Sequence, residues 1–231
     1  MRILALDTAT ENCSAALLVD GRLLTREQLL ERGHAERILA MADELLGEAG
    51  LRLSGLAAIA FGRGPGAFTG VRLAASVTQG LAFGAGLPVV PVSDLRALAQ
   101  RAFDADATLG AALVCTDARM HEVYWGCFER TAQGLAAPVG EERVGKPDTV
   151  ALPPTWKSAH AQGVGPGFAA YPQLRQAFAD RLHSFCPLLP RASEIARLAL
   201  PEVLAGRVLP ADQAIPVYLR DEVARPPAGS H

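Results

Sequence analysis

The spacing of apolar residues changes several times along the first 107 positions, and each change marks an element. Arg2-Ile3-Leu4-Ala5-Leu6 is a short apolar run that ends at Asp7. Thr8-Ala9-Thr10-Glu11-Asn12 turns the chain, and Cys13 to Val19 returns it to the hairpin signal Asp20-Gly21 and a third strand from Arg22. Ile38, Met41, Ala42, Leu45, Leu46 and Ala49 then recur at helical spacing, with Gly47 or Gly50 as the stop. Leu56 to Phe61 predicts a buried strand that runs into Gly62-Arg63-Gly64-Pro65-Gly66. A helix from about Phe68 to Phe83, a strand at Val89 to Val92 and a helix from Asp94 complete the order βββαβαβα.

After about residue 108 the pattern restarts. Ala111 to Thr116 predicts a strand ending at Asp117, and Val123 to Phe128 is its hairpin partner. Gly163-Val164-Gly165-Pro166-Gly167-Phe168 repeats the rhythm of the earlier glycine-rich turn, again between an apolar stretch and a helix-like run. An internal duplication is the economical reading. It divides the chain into an N-terminal lobe, 1–107, a C-terminal lobe, 108–222, and a tail, 223–231. Two βββαβα lobes facing each other describe the actin, Hsp70 and sugar-kinase (ASKHA) superfold, an α/β architecture in which the first hairpin of each lobe grips nucleotide phosphates. Fold by itself does not assign function.

Composition narrows the picture. Of 231 residues half are hydrophobic and a fifth charged, enough for a large core, and the formal charge of −2 carries no basic excess for holding nucleic acid unaided. Cys13, Cys115, Cys127 and Cys186 form no CxxC pair, and no signal peptide precedes the first strand-like run, so reduced thiols and a cytoplasmic location are expected. Leu73 to Val92 contains no charge and has the length of a membrane span, but three glycines and two prolines interrupt it, and it reads as a buried helix plus strand.

The chemistry-bearing motifs each have a plain structural reading. Asp7-Thr8-Ala9-Thr10 stands where the superfold places its first phosphate loop, yet Ala9 replaces the glycine that lets backbone amides approach a phosphate. Asp117-Ala118-Arg119-Met120, in the second lobe, also lacks glycine, and Arg119 fills phosphate space. Asp7, Thr8, Thr10 and Asp117 are therefore expected to be vestigial phosphate-loop positions that serve as turn formers. Gly62-x-Gly64-x-x-Ala67 meets a relaxed dinucleotide fingerprint with Asp94 as a distant ribose acid, but Pro65 removes an amide and Phe68 obstructs the approach. His34, His121, His160, His183 and His231 are scattered without an HxxxH or HExxH pair, no serine sits in a GxSxG elbow, and no catalytic or metal-binding residue is expected. The helix after the glycine turn is more informative, because Arg72 is its only charge. Phe68, Val71, Ala75 and Ala82 fall on one side and Ala67, Gly70, Ala74, Val77 and Leu81 on another. One side covers the lobe's own sheet; the other is either buried within the chain or a protein interface, and the residues alone leave both open.

Five blocks carry a family resemblance: Ile3 to Thr10, His34 to Leu39, Gly62 to Arg72, Asp117 to Tyr124 and Pro216 to Arg220. Together, in order and over nearly the whole chain, they closely resemble the bacterial TsaB (YeaZ) family, the Gly62–Arg72 block most specifically. The resemblance implies a subunit of the complex that installs N6-threonylcarbamoyl on adenosine 37 of tRNA. In it the larger paralogue TsaD holds the metal and does the chemistry, and the ATPase TsaE joins them. It implies no enzymatic activity and no cofactor bound by this chain alone, with ATP or ADP only at the complex interface and tRNA met only through the complex. Where the paralogue carries its metal-binding HxxxH, this chain reads Ser93-Asp94-Leu95-Arg96-Ala97-Leu98, without histidine. The family's homodimer and heterodimer surface maps onto His34, Arg37, Ile38 and Met41 of the first helix and Phe68, Val71, Arg72 and Ala75 of the second. A stand-alone ATP-binding enzyme or a protease of the same superfold is the alternative.

Overall fold

The computed structural model describes residues 1–156 and 160–220; the expected tail from 223 lies outside them. Three antiparallel strands open the chain, β1 (Arg2–Asp7), β2 (Asn12–Val19) and β3 (Arg22–Leu29). Helix α1 (His34–Ala49) leads to β4 (Ala58–Gly62), α2 (Phe68–Ala85), β5 (Val89–Val92) and α3 (Asp94–Ala105). This is the order predicted from the apolar spacing. Of the two candidate stops for α1, Gly50 is the one used, at φ 63°, a left-handed conformation open to glycine without penalty. The sheet runs β3-β2-β1-β4-β5, with β4 parallel to β1 and β5 parallel to β4.

The second half supplies β6 (Ala111–Asp117), β7 (Val123–Arg130), β8 (Ala136–Pro138), β9 (Arg143–Gly145) and β10 (Ala161–Val164), then α4 (Gly167–Ala170), α5 (Pro172–Phe178), β11 (Ser184–Cys186) and α6 (Ala192–Leu204). Its sheet runs β11-β10-β6-β7-β8, with β9 also on β7. The parallel pair β6–β10 repeats the pair β1–β4 of the first half. Two sheets, each an antiparallel hairpin extended by parallel strands, give the two-lobed superfold that the duplicated pattern implied.

Alternation along β1 shows where the layers lie. Leu4 and Leu6 face a cluster with Ile38, Met41 and Leu45 of α1 and Ala75 and Ala82 of α2. Ile3 and Ala5 face the opposite way, into a cluster that joins α3 and α6 to residues of both sheets, including Ala112, Val114 and Phe128. The expected boundary at 107/108 falls in the connection from α3 to β6. Across it the helices are exchanged: α3 lies on β6, β7 and β8, while α6 returns to lie on β1, β2, β4 and β5. Hydrogen bonds from β2 receive α6. Ser14 Oγ accepts from Ala192 N at 3.0 Å, and Asn12 Nδ2 donates to Pro190 O at 3.0 Å. Beyond α6 the chain runs along the first lobe, bridging Leu209 to Val89 and donating Val217 N to Arg63 O at 2.9 Å, before Arg220 reaches the second.

Candidate functional site

The glycine-rich turn, the end of β1 and the start of α3 meet at one point. Asp7 Oδ1 accepts from Ala9 N at 2.8 Å, and Asp94 Oδ2 accepts from Gly64 N at 2.6 Å. Both residues are buried, and no donor reaches Asp7 Oδ2 or Asp94 Oδ1. The two carboxyls lie close together beneath Gly62, and each leaves one buried oxygen without a partner. Burial pushes Asp7 up to about 6. Asp94 is raised well above the ordinary carboxylate range, by burial first and then by the charge of Asp7. Gly62 lies over the pair, where a Cβ would come 2.5 Å from Asp94 Oδ1 and 2.8 Å from Asp7 Oδ1.

The same turn covers the loop between β1 and β2. Ala67 N donates to Ala9 O at 2.7 Å, Thr8 Oγ1 donates to Gly70 O at 2.7 Å, and a Cβ at Gly66 would fall 2.6 Å from Ala9 O. Thr8 and Ala9 are buried beneath it, and Thr10 is half-buried, its hydroxyl accepting from Asn12 N. In the second lobe Asp117 is held by Tyr171 Oη at 2.9 Å and Arg119 N at 3.1 Å. Arg119, Met120 and His121 follow at φ 62°, 52° and 59°, a left-handed run in non-glycine residues. Arg220 donates to Glu122 and to Ala118 O and closes that turn from the C-terminal side.

The residues expected on the docking face divide in two. Ile38, Met41, Val71 and Ala75 are turned into the chain's own core and so anchor α1 and α2 from within. Arg37 pairs with Glu44 at 2.6 Å and reaches Gln28 on β3, while His34 Nε2 is 3.0 Å from Thr10 O. Phe68 is 60% exposed, and the Arg72 guanidinium lies over its ring, 3.2 Å from the centroid and 5.0 Å from that of Tyr218. The inward stripe of α2 is Val71, Ala74, Ala75, Thr78 and Ala82. Its outward side carries Ser76, Gly80 and Phe83, which the sequence reading placed on neither face, with Phe83 81% exposed; Leu73 is half-buried beside them, and Val77 packs against the core. Leu39, 48% exposed, is the large apolar residue on the outer side of α1. A Cβ at Gly80 or Gly84 would meet nothing within 4 Å, so a partner's backbone can approach closely.

Other chemistry is subdued. Ser93 caps α3 by accepting from Arg96 N at 3.2 Å and donates to Glu142, whose carboxyl is raised by burial. Leu98 points into the core. Burial raises the thiols, Cys13 to about 11, Cys127 to about 12 and Cys115 well above its ordinary value, so they are poor nucleophiles. A cleft of about 460 Å³ lined by Arg63, Ser93, Arg96, Glu142 and Val217 opens between the lobes. Among the described residues, no helix is long and apolar enough to cross a membrane. The pairing of Asp94 with Asp7 was invisible in the sequence, where Asp94 resembles any first-turn helix acid.

Residues 28–227 match the family model described as TsaD: tRNA N6-adenosine threonylcarbamoyltransferase. The tRNA threonylcarbamoyladenosine biosynthesis protein TsaB of Escherichia coli (strain K12) is 40% identical over 224 residues, covering 97% of this chain and 96% of that protein. The Haemophilus influenzae protein of the same name is 40% identical over 232 residues, covering 96% and 95%. A Pseudomonas aeruginosa structure, described as an uncharacterized protein with similarity to peptidase YEAZ, superposes with a TM-score of 0.85 at 45% identity, covering 95% of this chain and 99% of that one. A second, described as YeaZ from the same organism, gives 0.84 at 45% identity, covering 94% and 99%.

Proposed function

Because the chain belongs to the TsaB family, with relatives named for tRNA threonylcarbamoyladenosine biosynthesis, we propose that it serves that modification as a non-catalytic, dimerising and activating subunit. In this reading it binds the catalytic paralogue TsaD, with the ATPase TsaE joining the pair, and self-associates when alone. It meets tRNA only through the complex and acts in the cytoplasm.

The observation that carries the reading is the outer face of α2. Ser76, Gly80 and Phe83, flanked by half-buried Leu73, form an uncharged exposed stripe on a helix whose inner stripe already serves the core. Such a face, rimmed by the Phe68–Arg72–Tyr218 stack, has the composition of an interface centre with an arginine and aromatics at its edge. The covered β1–β2 loop and the raised thiols support the non-catalytic part. Backbone packing over the β1–β2 loop, where a phosphate would need open amides, supports reading any ATP or ADP as bound at the complex interface rather than by this chain alone.

Reconstitution tests the proposal. Threonylcarbamoylation of tRNA is measured with TsaD, TsaE and the enzyme supplying the threonylcarbamoyl adenylate, with and without this chain. Activity should require the chain, the chain alone should show no turnover, and full activity without it would refute the reading. Ser76→Arg, on the exposed side, should abolish self-association in sedimentation velocity while keeping the wild-type Tm; an intact dimer would refute the interface. Val71→Asp is unsuitable for this purpose because Val71 is buried, so its aspartate would report on the fold.

A further inference from the structure

Three side chains far apart in sequence converge at the entrance of β6, on the lobe away from α1 and α2. Asp106 follows α3, His160 precedes β10 and His183 precedes β11. A carboxylate oxygen and one ring nitrogen from each histidine lie within 4.8 Å of one another. Their backbones are fixed by the sheet. Gly110 N donates to His160 O at 3.1 Å, Leu109 N to Asp106 O at 3.2 Å, and His183 N to Ala161 O at 3.0 Å. The imidazoles of His160 and His183 stack with centroids 4.0 Å apart and planes 20° apart, so both rings face one side of the edge.

We infer that Asp106, His160 and His183 form a binding site for a divalent transition metal of the zinc type. Two imidazoles and one carboxylate are the donor set that zinc takes, leaving a fourth position for water. Donors around a tetrahedral zinc, with bonds of ~2.1 Å, lie about 3.4 Å apart. Closing the present triangle therefore needs movements of up to about 1.4 Å and rotation of at least one imidazole out of the stack so that the two lone pairs converge, which two exposed side chains allow. The outer contacts suit a ligand set. His183 Nδ1 lies 2.8 Å from Ala161 O, an acceptor only, so Nδ1 carries the proton and Nε2 keeps the lone pair. Asp106 Oδ1 accepts from Thr108 N at 2.8 Å and Thr108 Oγ1 at 2.6 Å, which orients the carboxylate. Bound metal would staple the end of α3 to the outer parallel strands of the second sheet. The site is separate from the docking helices and uses none of the residues assigned to them.

The test uses the full chain, stripped with chelator and titrated with Zn²⁺ by calorimetry and with Co²⁺ by absorption. One equivalent should bind, the Co²⁺ complex should show d–d bands without thiolate charge transfer, and zinc should raise Tm. His160→Ala and His183→Ala should each weaken binding by at least about tenfold, since even outer-shell changes act on that scale. Both rings are exposed, so the metal-free Tm of these variants should stay at the wild-type value. Absence of saturable binding, thiolate bands with Co²⁺, or unchanged affinity in the double variant would each overturn the site.

Discussion

Asp7 and Asp94 share a buried site in which a second negative charge beside the first is costly, so burial favours the protonated form of both. The folded pKa of Asp7 is raised from 3.8 to about 6, so the folded state keeps a proton that the unfolded chain has released. The stability it confers is fully present below pH 3.8 and is lost as pH rises through about 6, with Asp94 extending the loss upward. Asp94→Asn keeps an acceptor for Gly64 N and places a neutral donor beside Asp7. Its Tm should exceed that of wild type at pH 8 and approach it at pH 5, by roughly 2–4 °C for each kcal/mol gained. A Tm difference independent of pH would show that the pair does not titrate. Asp94 illustrates the limit of reading residues in line, because nothing local tells an exposed first-turn helix acid from one buried beside the carboxyl that ends β1.

The two glycine-proline-glycine turns do the same work in the two lobes. Gly64 and Gly165, at φ 98° and 105°, each precede a proline, and the glycines that follow press on the β1–β2 loop in the first lobe and on β6 in the second. A Cβ would meet Ala9 O from Gly66 and Cys115 O from Gly167, at 2.6 and 2.7 Å. This close approach is why the duplicated rhythm was legible: only glycine allows the backbones to touch. Helix α2 gives a paired prediction. Gly70→Ala drives a methyl into Thr8 O, which is backbone and cannot step aside, and should cost about 1–3 kcal/mol. Gly80→Ala, in open space on the same helix, should instead stabilise by roughly 0.5–1 kcal/mol. Urea midpoints read both, and a shift of equal sign would contradict the packing described. The existence and ends of α2 were readable, but its orientation was not. A helix apolar nearly all round has no polar face to mark the outside; the family resemblance put Val71 and Ala75 on the docking face, and both point inward.

At the scale of the molecule the exchange of α3 and α6 makes the lobes one cooperative unit. Ile3, Ala5, Ala16 and Leu18 of the first sheet are covered by a helix that arrives from the far end of the chain. Residues 1–107 alone should therefore fail to fold, showing collapsed amide dispersion in NMR spectra, and the whole chain should unfold in one transition by fluorescence and by circular dichroism. Two separated transitions, or a folded 1–107 fragment, would refute the shared core. The sequence by itself determined the element order of the first half, the duplicated rhythm and the uncharged helix, which rest on periodicity and on glycine chemistry acting within a few residues, while the family came from the resemblance of five motif blocks. Only the tertiary structure decided which face of α2 is free, that Asp94 meets Asp7, that α6 closes the first lobe and that His160 and His183 adjoin Asp106. These depend on contacts between residues far apart in the chain, whose positions are set by the packing of whole sheets and helices rather than by any local preference.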